Sequence, residues 1–100
     1  MTSRFVSAAE EEFSDAAIFY EGSQPGLGEE FVLHVLATVS RLERFPESAA
    51  EVSPEIRSMP LPRFPFSLIY RVHDREVVVL AVTHQSRRPG YWGDRLREIS

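Results

Sequence analysis

The run "VVVLAV", Val77 to Val82, constrains the fold of this chain more than any other feature. Successive side chains of a strand point to opposite faces, so an uninterrupted apolar run has both faces to hide. It must be a central strand, covered by helices or by another layer. Six residues are far too few to cross a bilayer. The segment before it, "FSLIYRV", followed by a turn at "HDRE", completes a hairpin with "VVVLAVTH". With 100 residues, the chain has room for one such core and not for two, so residues 1–100 are expected to form a single domain.

The covering layer is written in the first half. "RFVSA" reads as a short extended segment, and Ser7 with Glu10 reads as a capping box that starts a helix near Ala8. Ala9, Phe13, Ala16, Ala17 and Tyr20 recur at helical spacing and give that helix one apolar face. "EGSQPGLG" breaks it. A second helix, about Gly28 to Phe45, carries Phe31, Val35, Thr38, Leu42 and Phe45 on one stripe, which Val32, Leu36 and Val39 widen to more than one face. Pro46 ends it. The proline-punctuated connection that follows has room for one short strand around Glu55 to Ser58, at an edge or in a loop. "GYWGDRLREI" forms a last short helix or a ragged tail. The order is β-α-α-β-β-β with an optional C-terminal helix: an α+β fold in which two N-terminal helices pack on a small, mainly antiparallel sheet.

Charge is distributed unevenly. Met1 to Glu55 holds three arginines against eleven acids, and Ile56 to Ser100 holds eight arginines against four. The second half is therefore the anion-facing end, and every basic residue is arginine, which suits bidentate contacts and stacking. A composition bias of the genome would produce the same absence of lysine. The overall net charge of −4 argues against strong nonspecific binding to nucleic acid. Without cysteine there is no disulfide framework or thiolate nucleophile. The three histidines lack metal-ligand spacing, so neither metal nor cofactor is expected. "MTSRFVSAAEEE" has no apolar stretch of the signal-peptide kind, which leaves the cytoplasm as the default location.

Just past the central strand, "HQSRRPGYW" packs a histidine, two arginines, a tyrosine and a tryptophan into nine residues, His84 to Trp92. Together with "PGLG" and "FPFSLIYRV" this segment carries a resemblance. The patterns "F…YE…PGLGEEF…V…RFP", "IRSMPLPRFPFSLIYRV" and "VVVLAVTHQSRRPGYW" resemble the RelE/ParE superfamily of bacterial toxins, and more narrowly its plasmid stabilisation branch, over nearly the whole chain. The resemblance implies the toxin of a type II toxin–antitoxin pair, neutralised by a cognate antitoxin. RelE-like members cleave mRNA on the ribosome, and ParE-like members inhibit DNA gyrase, so the fold alone does not choose the target.

For metal-free RNA cleavage, a base must take the 2′-OH proton and cations must hold the phosphate. His84, Arg87 and Tyr91 are the catalytic candidates under that reading. Arg87 falls where the RelE branch has an essential arginine, and Tyr91 or Trp92 near its catalytic tyrosine. Arg57, Arg63, Arg71, Arg88 and Trp92 are candidates for binding the target or a nucleic acid. Two departures count against a nuclease: the segment entering the sheet has only Arg57 and Arg63 as a basic cluster, and Ser67 stands where RelE has a further arginine. With the acidic total, they favour a protein target such as gyrase over the ribosome and mRNA; a non-toxic protein of the same fold is a third reading. Plainer roles compete at each position. His84 fits a hydrogen-bonded strand end, Arg87 and Arg88 could pair with Glu10 to Glu12, and Tyr91 and Trp92 could fill the core or an antitoxin groove. Arg71 and its neighbour Tyr70 face opposite sides of a strand, Arg71 toward the open face and Tyr70 toward the helices. His34 and His73 read as solvated, and "GLGEE" as a helix start.

Overall fold

The structure is a computed structural model, and it describes residues 1–99. The chain runs β1 (Thr2–Phe5), α1 (Ser7–Ser23), α2 (Leu27–Arg44), β2 (Ala50–Ser53), β3 (Ile56–Pro60), β4 (Phe66–His73), β5 (Glu76–His84) and a 3-10 segment, Gly93–Glu98. The strands form one sheet in the order β1-β5-β4-β3-β2. Only the β1–β5 pair is parallel, and the other neighbours are antiparallel. This is the expected α+β architecture with one strand more than the sequence revealed. The proline-rich connection holds a β2–β3 hairpin, with Pro54 and Glu55 at its turn.

β5 lies between β4 and β1, which reaches only to Val79, and all six residues from Val77 to Val82 are buried. Burial on both faces is what an unbroken apolar strand requires. The β4–β5 hairpin closes through Asp74 and Arg75, both with left-handed backbone (φ 52° and 62°), as the twist of a two-residue hairpin turn demands. Its register slips between Ile69 and Tyr70, which pair with Ala81 and Val79, so Leu80 is an extra residue on β5.

The helices cover one sheet face. Phe31 is fully buried among Phe13, Tyr20, Phe64 and Phe66, with ring centroids 5.2–6.1 Å apart. Val35, Val39 and Leu42 continue its stripe along α2. The stripe is narrower than its sequence implied. Leu36 is exposed, and Phe45 lies beyond the last helical turn with 57 % of its surface in solvent. The Ser7–Glu10 capping box does not form: Val6 is the N-cap, and Ser7 Oγ, already inside α1, donates to Glu98 at 3.4 Å. His34 is half-buried, hydrogen-bonded to the Glu30 carbonyl and packed on Phe64, so it is not simply solvated; His73 is exposed.

The α1–α2 turn depends on Gly26 and Gly28. Gly26 takes φ 90°, which favours glycine, and a Cβ on Gly28 would lie 2.5 Å from the Ala17 carbonyl oxygen. Glu21 reaches over to accept the Gly26 and Gly28 N–H groups at 3.0–3.1 Å, so two of the free donors that open α2 are satisfied from within. Among the described residues, no helix is long and apolar enough to cross a membrane.

Candidate functional site

The site grows from a shortfall in the sheet. β1 stops at Phe5, and the Val6 N–H makes the last backbone bond to β5, at Val79 O. Beyond that point β5 presents an edge without a strand beside it. Side chains fill the gap: the Glu12 carboxylate of α1 accepts the Val82 N–H at 3.0 Å, and Arg95 donates to Leu80 O at 3.0 Å. The two side chains also bind each other, Arg95 Nη1 to Glu12 Oε1 at 2.8 Å and Nη2 to Oε2 at 3.0 Å. Both are largely withdrawn from water, at 17 % and 18 % exposure. Such a bidentate pair is the strong kind of charge-assisted contact.

Tyr91 joins the same carboxylate, its hydroxyl donating to Glu12 Oε2 at 2.6 Å. Burial first, and the bond to Glu12 second, hold this phenol above its ordinary titration range, so it is neutral at physiological pH. The Arg95 guanidinium is pushed upward chiefly by its hydrogen bond to Glu12. Arg87 lies over the Tyr91 ring, 3.9 Å from guanidinium carbon to centroid. Ahead of both, the chain turns at Gln85 and Ser86: His84 Nδ1 accepts the Ser86 N–H at 3.1 Å and lies 2.7 Å from Ser86 Oγ. A backbone N–H can only donate, so Nδ1 is an acceptor and the neutral ring carries its proton on Nε2.

The segment after β5 therefore forms a strap that folds back along the strand's free edge. Two clefts flank it. One, of about 490 Å³, lies on the sheet face opposite the helices, floored by Ser58, Ser67, Ile69 and Thr83 and walled by Arg87, Arg88, Tyr91 and Trp92. The other, of about 410 Å³, lies between the strap and α1, lined by Asp15, Phe19, Tyr20, Phe66 and the strap side of His84, Arg87 and Tyr91.

His84, Arg87, Arg88, Tyr91 and Trp92 are thus brought together around one cleft. Trp92 is buried to 8 % exposure and packs in the core cluster, so it walls the cleft rather than standing free to stack on a base. Arg57, Arg63 and Arg71 are not part of this group. Arg57 donates to the carbonyls of Glu47 (3.3 Å) and Ala49 (2.7 Å), pinning the loop that leads into β2. Arg63 pairs with Glu30 of α2 at 2.6 Å. Arg71 lies on the open sheet face as expected, with Tyr70 on the helix side bonded to Pro46 O, but it is held by Glu55 at 3.5 Å and lines neither cleft. The partner expected for Arg87 and Arg88 among Glu10 to Glu12 turns out to belong to Arg95. Glu12 and Arg95 were not singled out from the sequence, and neither were the hydroxyls of Ser58 and Thr83. Among the described residues, no group of three or more His, Asp or Glu side chains could hold a metal ion.

Comparison with known proteins agrees with this architecture. The chromosomal ParDE toxin–antitoxin system from P. aeruginosa superposes with a TM-score of 0.73, covering 84% of this chain and 95% of that one at 22% identity. No curated protein sequence matches. The model of the ParE toxin of type II toxin–antitoxin systems, parDE, matches residues 4–89. That stretch runs from β1 through Arg87 and Arg88 and stops just before Tyr91, Trp92 and the 3-10 segment. From its first strand to the arginines of its cleft, then, this chain belongs to the ParE family of type II toxins.

Proposed function

We propose that the protein arrests growth by docking the His84–Trp92 surface on a protein target, DNA gyrase in the first place, and that a cognate antitoxin neutralises it in the cytoplasm. One observation carries the choice of docking over RNA cleavage: the Tyr91 hydroxyl and His84 Nδ1, which would move protons, already hold hydrogen bonds within the chain. The Tyr91 hydroxyl donates to Glu12, burial disfavours its phenolate, and His84 Nδ1 accepts the Ser86 N–H. General-base catalysis needs a free acceptor within reach of the substrate proton. Arg87 and Arg88, both exposed, remain as anion-binding and stacking groups, which a docking surface uses as they stand.

The antitoxin half of the reading is supported by apolar side chains left in solvent on the helices and at the outer strand: Ile18, Phe19, Leu33, Leu36 and Val52. A partner helix with an extended piece would cover them, its acids meeting the arginine-rich end. The test is to induce the toxin alone, then assay the purified chain for inhibition of gyrase supercoiling and map message ends in the arrested cells. Inhibited supercoiling with intact messages is the expected result. Cut messages with normal supercoiling would replace this reading by the ribonuclease one, and unimpeded growth with a folded chain by that of a non-toxic protein.

A further inference from the structure

Glu12 looks in sequence like its neighbours Glu10 and Glu11, yet those two are exposed while its side chain is 82 % removed from water. A carboxylate is withdrawn in this way without large cost only when donors surround it. Here they do: the Val82 N–H, the Tyr91 hydroxyl and both terminal nitrogens of Arg95. These donors come from β5, the strap and the 3-10 segment, so one side chain of α1 joins all three, beside the direct Arg95 bond to Leu80 O. Arg87 follows at one remove, because it rests on the Tyr91 ring. Glu12 itself does not line the cleft on the open face, although the strap it holds forms that cleft's wall.

We propose that Glu12 is a positioning residue for the toxin's docking surface, its carboxylate ordering the strap so that Arg87, Arg88 and Trp92 stand as the cleft wall. This rests on the reading that the cleft meets the target. Removing the carboxylate leaves the Tyr91 hydroxyl without its acceptor, Arg95 as a half-buried cation without its counter-charge, and the Val82 N–H open. The strap then loses its hydrogen bonds to α1, keeping the Arg95 bond to Leu80 O and the packing of Trp92, and its order falls while the buried aromatic cluster around Phe31 stays packed.

Trp92 provides the test, because it is the only tryptophan of the chain and its emission reports the strap without reference to any target. In the full-length Glu12→Gln protein, far-UV circular dichroism and cooperative unfolding are expected to persist while Trp92 emission shifts to the red. The amount of protein needed to arrest growth is expected to rise by roughly ten- to a hundredfold, the size of a lost contact to a charged group. Tyr91→Phe should do part of the same, and the double variant should fall short of the sum, because both substitutions remove one contact. A folded Glu12→Gln protein with an unshifted spectrum overturns the ordering role. A shifted spectrum with undiminished toxicity overturns the role in function. If Glu12→Gln does not fold, Tyr91→Phe and Arg95→Lys decide by the same two readouts. A wild-type chain that arrests growth without touching gyrase removes only the gyrase assignment, since Trp92 emission and growth still decide on Glu12.

Discussion

The Tyr91 hydroxyl and the Glu12 carboxylate meet at 2.6 Å across 79 residues of sequence, joining the first helix to the last turns of the chain. The contact is part-buried, so its loss is felt in stability. Tyr91→Phe keeps the ring under Arg87 and removes only the donor; it should lower the unfolding free energy by about 1–2 kcal/mol. Urea titration checks this, with an unchanged slope showing that the unfolded state is the same. A variant as stable as the wild type would mean that Glu12 is satisfied without Tyr91.

Alkaline pH should weaken the fold through its tyrosines. Tyr20, Tyr70 and Tyr91 all sit above the ordinary value of 10.0, burial being the largest cause in each. An unfolded tyrosine gives up its proton near that value and the folded one does not, so at high pH the unfolded chain binds fewer protons. The stabilisation from this source is complete below pH 10 and is lost as pH rises through the folded values. Thermal melts taken upward from neutrality should show a midpoint falling from about pH 10, and Tyr91→Phe should blunt the fall. A flat profile would show that the phenols are not withdrawn from water.

Gly28→Ala tests the helical hairpin. Alanine is the better helix former by about 1 kcal/mol, so propensity alone predicts a gain. The new Cβ would instead lie 2.5 Å from Ala17 O and 2.8 Å from Glu21 Cβ, and the backbone oxygen cannot rotate away. Overpacking should win, with a net loss of about 1–3 kcal/mol by thermal or urea unfolding. A more stable variant would mean that α1 and α2 separate at no cost.

Two arginines should separate function from stability. Arg87→Ala removes an exposed side chain whose main contact is the Tyr91 ring, so it should abolish growth arrest at a cost of about 0.5–1 kcal/mol or less. Arg57→Ala opens two carbonyl contacts of a side chain that lines neither cleft, so it should cost about 1–2 kcal/mol and leave the arrest intact. Growth curves beside unfolding curves for the two proteins make the comparison. Arrest by a folded Arg87→Ala protein would move the functional surface elsewhere.

Reading the sequence recovered what period and composition encode. The buried strand at Val77 to Val82, the two helices, their α+β arrangement and the clustering of His84 to Trp92 all follow from local spacing. β2 escaped because its four residues, "AEVS", are all exposed and carry no alternation. The capping box failed because Val6 is drawn into the core and the helix begins one residue early, which puts Ser7 where its hydroxyl no longer faces the helix's free donors. The Glu12–Arg95 pair could not be read at all. Three consecutive glutamates resemble a solvated helix face, and only the end of β1 at Phe5 creates the gap that selects the third of them.

That short first strand has a consequence for how the protein behaves in a crowd. Half of β5 is an apolar ribbon whose outer backbone groups would otherwise be open for pairing, the kind of surface on which chains stack into fibres. A carboxylate and a guanidinium occupy that rim instead of a backbone, and a charged stopper offers no ladder for the next molecule to climb. The same ion pair thus closes this edge of the sheet to strand addition, and keeps the toxin's most apolar strand out of reach of its own copies.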